Sequence, residues 1–268
     1  MNSKAHHVGL SRQIVVLAGA GMLAACGGGG SPATSIPPVT PTPAPSPSPT
    51  PSPTPTPTPI ASFDLQSVPP AFDTVEFGQS DGPGFHNAQS AWDQGYTGEG
   101  VTIAVIDSGI DTDSPEFAGR LSGASVDLYS SRNSLDGVDD HGTNVALVAA
   151  AARDATGILG IAWDSTILAV RADEPGSCSA SGPADTADTC TFLDSDIARG
   201  VDHAVANGAK VINISLSGDD GVSAQLQQAI ASATNAGVLV VIAAGNDGFA
   251  QLGDYGRQML ANGNGALI

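Results

Sequence analysis

The sequence predicts an α/β fold, a parallel β-sheet with helices on both faces, incomplete at its C-terminus. Three observations predict it. Four short runs are almost wholly apolar: VTIAVID at 101–107, STILAVR at 165–171, KVINISL at 210–216 and VLVVIAA at 238–244. Helix-like segments lie between them. Glycines such as Gly208 and Gly237 stand where those helices must stop. Continuous apolar strands alternating with helices belong to parallel sheets buried on both sides.

The elements follow in chain order. Residues 1–12 are polar with two fixed positive charges, and residues 14–25 are small and apolar, IVVLAGAGMLAA. Twelve such residues are too few to span a bilayer as a helix, so 1–25 reads as a secretory signal. It ends in Leu23-Ala24-Ala25-Cys26, which resembles a bacterial lipobox; the alternative is an ordinary signal with a chance cysteine. Cleavage there would leave Cys26 as an acylated first residue, and Gly27 after it favours the outer membrane. Residues 26–60 are a glycine run and then a Ser/Thr-Pro alternation that holds 13 of the 19 prolines. Proline fixes φ and removes a donor, so this stretch reads as an extended stalk. Residues 61–90 read as an irregular lead-in, and 91–268 as the folded domain.

Within that domain, 101–107 is the first strand and 142–153 an Ala/Val-rich helix. The second strand is 165–171. Ile197, Val201, Ala204 and Val205 recur at helical spacing in 195–207. The third strand, 210–216, leads to an amphipathic helix over 222–236 and a fourth strand over 238–244. Ligands of such sheets sit at the carboxyl ends of the strands. The polar residues found there are Asp107, Asn213 with Ser215, and Asn246.

Charge excludes one class of function. The chain carries 9 Lys+Arg against 27 Asp+Glu, a net charge of −18. All 27 acids lie beyond residue 60. A phosphate backbone needs a basic surface, so no nucleic-acid partner is expected. With 41% hydrophobic residues in periodic runs, global disorder is excluded too.

Three short motifs carry the chemistry. In Val105-Ile106-Asp107-Ser108-Gly109 a carboxylate ends a buried strand and must be paired or hydrogen-bonded; alone, it reads more commonly as a turn aspartate. In Asp140-His141-Gly142-Thr143 a histidine opens a helix, where imidazole suits general-base work at neutral pH; alone, it reads equally as a cap. In Ala244-Gly245-Asn246-Asp247 an amide at a strand end can donate to a developing oxyanion, or simply occupy a left-handed turn.

Taken together, Asp, then HGT on a helix, then VINISL, then AAGN resemble the subtilisin family of serine peptidases, itself the reference case for this order and for the asparagine donor. AWDQGYTGEGVTIAVIDSGIDTDSPEF and GILGIAWDSTILAVRA extend the resemblance from 91 to 246. It implies that Asp107 orients the imidazole, His141 takes the proton of a serine nucleophile, and Asn246 donates to the tetrahedral oxyanion. It places Ser215, Leu216 and Ser217 along an extended polypeptide substrate, with Ala243, Ala244 and Gly245 on another side of the pocket. No metal or cofactor is expected, although Glu116 and Asp154 match positions that help bind calcium in some relatives. Asn144, Leu147 and Ser217 depart from the family, which commonly has histidine, glycine and glycine there.

The nucleophile should follow Asn246 in a Gly-Thr-Ser turn, yet residues 247–268 contain no serine. The expectation is a C-terminally truncated peptidase, inactive as it stands; the alternative is a peptide-binding lipoprotein without a nucleophile. Cys178 and Cys190 are expected to form a disulfide in an exported protein. A lipid anchor, a stalk and too few residues for a prodomain resemble the passengers of bacterial autotransporters. A membrane partner through Cys26 and a location at the outer membrane or cell surface of a Gram-negative-type bacterium are expected accordingly.

Overall fold

A computed structural model describes residues 5–7, 72–178, 190–218, 221–246, 254–261 and 266, all within one compact unit. Cys26 and the expected stalk lie outside the described residues, as does most of the expected signal. Of the signal, β1 (Ala5–His7) is a three-residue strand. Among the described residues no helix is long and apolar enough to cross a membrane.

The lead-in is more ordered than its composition predicts. It carries three short helices, α1 (Val75–Gly78), α2 (Asp81–Phe85) and α3 (Gln89–Trp92). Phe72 and Trp92 pack with Trp163 and Leu159 in a small core of their own. Trp92 donates its indole N–H to the Ile161 carbonyl at 2.9 Å. Contacts nearly seventy residues away thus hold short helices that local propensity alone would not sustain.

The sheet contains β2 (Thr102–Asp107), β3 (Val126–Asp127), β4 (Thr166–Arg171), β6 (Val211–Ile214) and β7 (Leu239–Ile242). Its order is β3-β4-β2-β6-β7, and every pairing is parallel. The strand β5 (Thr191–Leu193) stands apart and pairs antiparallel with β1. The helices are α4 (His141–Ala150), α5 (Asp194–Ala206), α6 (Ala224–Asn235) and α7 (Asp254–Ala261). Apart from α7, each matches a segment expected from the sequence to within a few residues.

Period-two geometry sorts the strand side chains between two cores. Ala104 and Ile106 of β2 and Leu168 and Val170 of β4 face α5 and α6. Ile103, Val105, Ile167 and Ala169 face the other way, toward Ala146 and Ala150 of α4. Gly200 lets α5 lie close on the sheet, since a Cβ there would sit 3.2 Å from both Ile106 and Val170. Gly208 and Gly237 both take φ of +80°, the left-handed turn that ends α5 and α6.

A buried ionic ladder pins the segment between β3 and α4. Arg132 makes a two-pronged contact with Asp127, Nε to Oδ2 at 2.8 Å and Nη2 to Oδ1 at 2.9 Å. Arg132 also reaches Asp173, which pairs with Arg171 Nε at 2.9 Å. Burial alone would raise the Asp127 carboxyl, but hydrogen bonds from Arg132 and the amides of Tyr129 and Ser134 outweigh it and hold its pKa below the ordinary 3.8. A depressed acid contributes stability above its unfolded pKa and loses it as pH falls through the folded value. Stability should therefore drop as pH falls below 3.8. Asp127→Asn should be less stable at neutral pH and flatter on the acid side, as read from urea midpoints across an acid series. Equal acid slopes in the two proteins would refute this.

Candidate active site

Asp107 ends β2 at the middle of the sheet, with 1% of its surface exposed. Its Oδ1 accepts from His141 Nδ1 at 2.8 Å and from the Ser108 amide at 2.7 Å. Its Oδ2 is buried and has no hydrogen-bond partner among the described residues. A buried carboxylate must be hydrogen-bonded or paired, and the His141 ring supplies that partner. The Asp107 contact engages Nδ1, so proton transfer to a bound group would run through Nε2.

His141 is the first residue of α4, and its side chain is about one-third exposed. The approach of this helix to β2 depends on Gly142. A Cβ at Gly142 would lie 2.2 Å from the Gly109 carbonyl oxygen and 3.1 Å from Asp107 Cβ. Gly142→Ala is therefore expected to cost about 1–3 kcal/mol by overpacking and to push His141 away from Asp107. Chemical denaturation checks the first effect, and loss of the Nδ1 proton resonance of His141 the second.

Both residues open onto a cleft of about 440 Å³. Asn246 lines it, beyond the carboxyl end of β7, and so do Ser215, Leu216 and Ser217 beyond β6. The Asn213 amide donates to Ser215 Oγ at 2.9 Å. Sequence motifs far apart in the chain thus converge: Asp107, His141, Asn246 and the 215–217 segment share one cavity. Ala243, Ala244 and Gly245 are not among its lining residues. The Ala243 amide instead extends the sheet ladder by donating to the Ile214 carbonyl at 3.0 Å.

Four further residues wall the cleft, of which Asp139 and Phe192 belong to no sequence reading. Ser108 and Asp139 flank the Asp107–His141 pair, and Cys190 and Phe192 line the cleft beside β5. Cys178 and Cys190 are joined in a disulfide. Residues 179–189 between them lie outside the described residues. Only the Asp-Asp-His run ahead of α4 could have pointed to Asp139.

Glu116 and Asp154 lie close together, but each carboxylate is turned to loop amides. Glu116 Oε2 accepts from the Ala152 amide at 3.1 Å, and the Ile158 amide adds a second bond. Asp154 Oδ1 accepts from the amide and hydroxyl of Thr156, at 2.9 and 2.7 Å. Burial first, then the Asp154 charge, raise the Glu116 pKa above its ordinary 4.5.

Residues 98–266 match the family model described as the subtilase family. The chain is 36% identical over 184 residues to subtilisin of Bacillus pumilus, covering 68% of this chain and 57% of that protein. It is 35% identical over 190 residues to subtilisin E of Bacillus subtilis (strain 168), 70% of this chain and 42% of that one. To thermitase of Thermoactinomyces vulgaris it is 38% identical over 169 residues, 62% and 54% of the two chains. The chain thus spans about half the length of the curated relatives it matches.

Proposed function

Because this chain belongs to the subtilase family of serine endopeptidases, we propose that it is the N-terminal part of a surface-anchored endopeptidase that hydrolyses peptide bonds through an Asp107–His141–serine triad. The observation that carries this reading is the 2.8 Å contact of His141 Nδ1 with buried Asp107, in a cleft that Asn246 also lines. In the proposed reaction a serine hydroxyl attacks the scissile carbonyl carbon while His141 Nε2 takes its proton. Asp107 stabilises the imidazolium, and Asn246 donates to the oxyanion. The imidazolium returns the proton to the leaving amine, the C–N bond breaks, and water repeats the sequence on the acyl-enzyme.

The substrate is an extended polypeptide that adds a strand to the cleft wall. Support comes from β5, whose edge already accepts the extended segment Ala5–His7 in antiparallel register while Phe192 lines the cleft. We place the protein outside the cell, held at an outer membrane by acylated Cys26 through the proline-rich stalk. The alternative reading is a nucleophile-less, peptide-binding lipoprotein.

The test is fluorophosphonate labelling of the natural gene product. Label on a serine C-terminal to residue 268 supports the endopeptidase. A natural product that takes no label but retains an extended peptide supports the binder. Stoichiometric label on any serine within the 268 residues overturns the triad assignment.

A further inference from the structure

Asp139 belongs to none of the three motifs, yet it closes a ring of hydrogen bonds around His141. Ser108 Oγ donates to Asp139 Oδ1 at 2.6 Å. The same carboxylate oxygen accepts from the backbone amide of His141 at 2.9 Å. Ser108 Oγ accepts in turn from the Gly142 amide at 3.3 Å. The Ser108 amide and the His141 ring then meet on Asp107 Oδ1. Two carboxylates and one hydroxyl thus hold both the backbone and the ring of a single histidine.

The first amides of a helix have no acceptor within the helix. In α4 the residue at the cap position, Asp140, makes no side-chain cap. Asp139 and Ser108 serve the first two amides in its place, and a carboxylate there suits the positive end of the helix. The other oxygen, Asp139 Oδ2, lies against Cys190 Sγ. That sulfur is bonded to Cys178 and has no proton to give, so the contact is steric and blocks rotation of the carboxylate.

We propose that Asp139 is a positioning residue: it fixes the first turn of α4 so that the His141 ring meets Asp107, with the Cys178–Cys190 disulfide as its backstop. This rests on the reading of His141 as the general base. Among the described residues, the charged groups around the imidazole include Asp107 from β2, and Asp139 and Asp140 from the segment entering α4. The other cleft walls, Phe192, Ser215, Leu216, Ser217 and Asn246, carry no charge.

The test is proton and nitrogen NMR of histidine in the full 268-residue chain. His203, whose Nε2 contacts the Ala124 carbonyl at 2.8 Å, is the internal control. The parent chain should show a low-field, slowly exchanging Nδ1 proton for His141. Asp139→Ala should broaden that signal away, leaving His203 unmoved. Asp139→Asn keeps an acceptor oxygen and should restore the proton signal. An unchanged signal in Asp139→Ala overturns the proposal, as does an Asp139→Asn variant that behaves like Asp139→Ala. Should Asp139→Ala fail to fold, Ser108→Ala carries the test, because it cuts the link to Gly142 and leaves the carboxylate in place; an unmoved His141 signal there also overturns the proposal. Asp107→Asn separates the two readings: an intact signal in that variant refutes the Asp107–His141 pairing itself, whatever Asp139 does.

Discussion

His141→Ala is expected to lower kcat on the order of a millionfold in a serine-bearing form of this protein, the magnitude known for loss of the equivalent histidine in subtilisin itself. The physical reason is visible at the site. Without the imidazole, the bases left among the described lining of the cleft are Asp107, which is buried, and Asp139, which is committed to Ser108 and the residue-141 amide. Ser108, the hydroxyl next to Asp107, is already committed to Asp139 and Gly142. Asp107→Asn should cost less, on the order of ten-thousandfold, because the base survives in the wrong tautomer. In both variants KM for a chromogenic peptide should hold, since neither side chain binds the extended backbone. A His141→Ala loss of less than about a hundredfold would show that another group takes the proton.

Arg171→Ala is expected to destabilise the fold by about 3–5 kcal/mol, the range for breaking a buried ion pair from one side. Arg171 is 2% exposed and stands opposite Asp107 in the β2–β4 register. It binds Asp173 through Nε and donates to the carbonyls of Ser134 and Asp136. Its removal would leave Asp173 to Arg132 alone and would free the segment that delivers His141. Arg199→Ala makes the contrast. Arg199 pairs with Asp196 at 2.7 Å, but its side chain is 50% exposed, so about 1 kcal/mol or less is expected. Urea midpoints of the two variants should differ accordingly, and equal losses would refute the distinction.

The sheet and most of the site were legible because each rests on a local rule. Apolar runs marked the buried strands, and a polar residue closing such a run marked the carboxyl edge. Those rules mark Asp107, His141 and Asn246 only as candidates; their joint order, which resembles the subtilisin family, gives them roles, and they share one cleft. Asp139 was not legible in the same way. Its role depends on Ser108, thirty-one residues earlier, and on a disulfide formed across a loop. The short helices α1 to α3 were missed because an aromatic cluster, with Trp163 far along the chain, holds them.

The strand order β3-β4-β2-β6-β7 puts the first-made strand of this sheet at its centre. β2 needs β4 on one side and β6 on the other, and β6 ends at Ile214. At ribosomal rates of about 5–20 residues per second, roughly five to twenty seconds separate the synthesis of Asp107 from that of Ile214. Asp107 is covered by Arg171 of β4 and by His141 of α4, both made after it, so the acid and base come together only through long-range pairing, which is intrinsically slow.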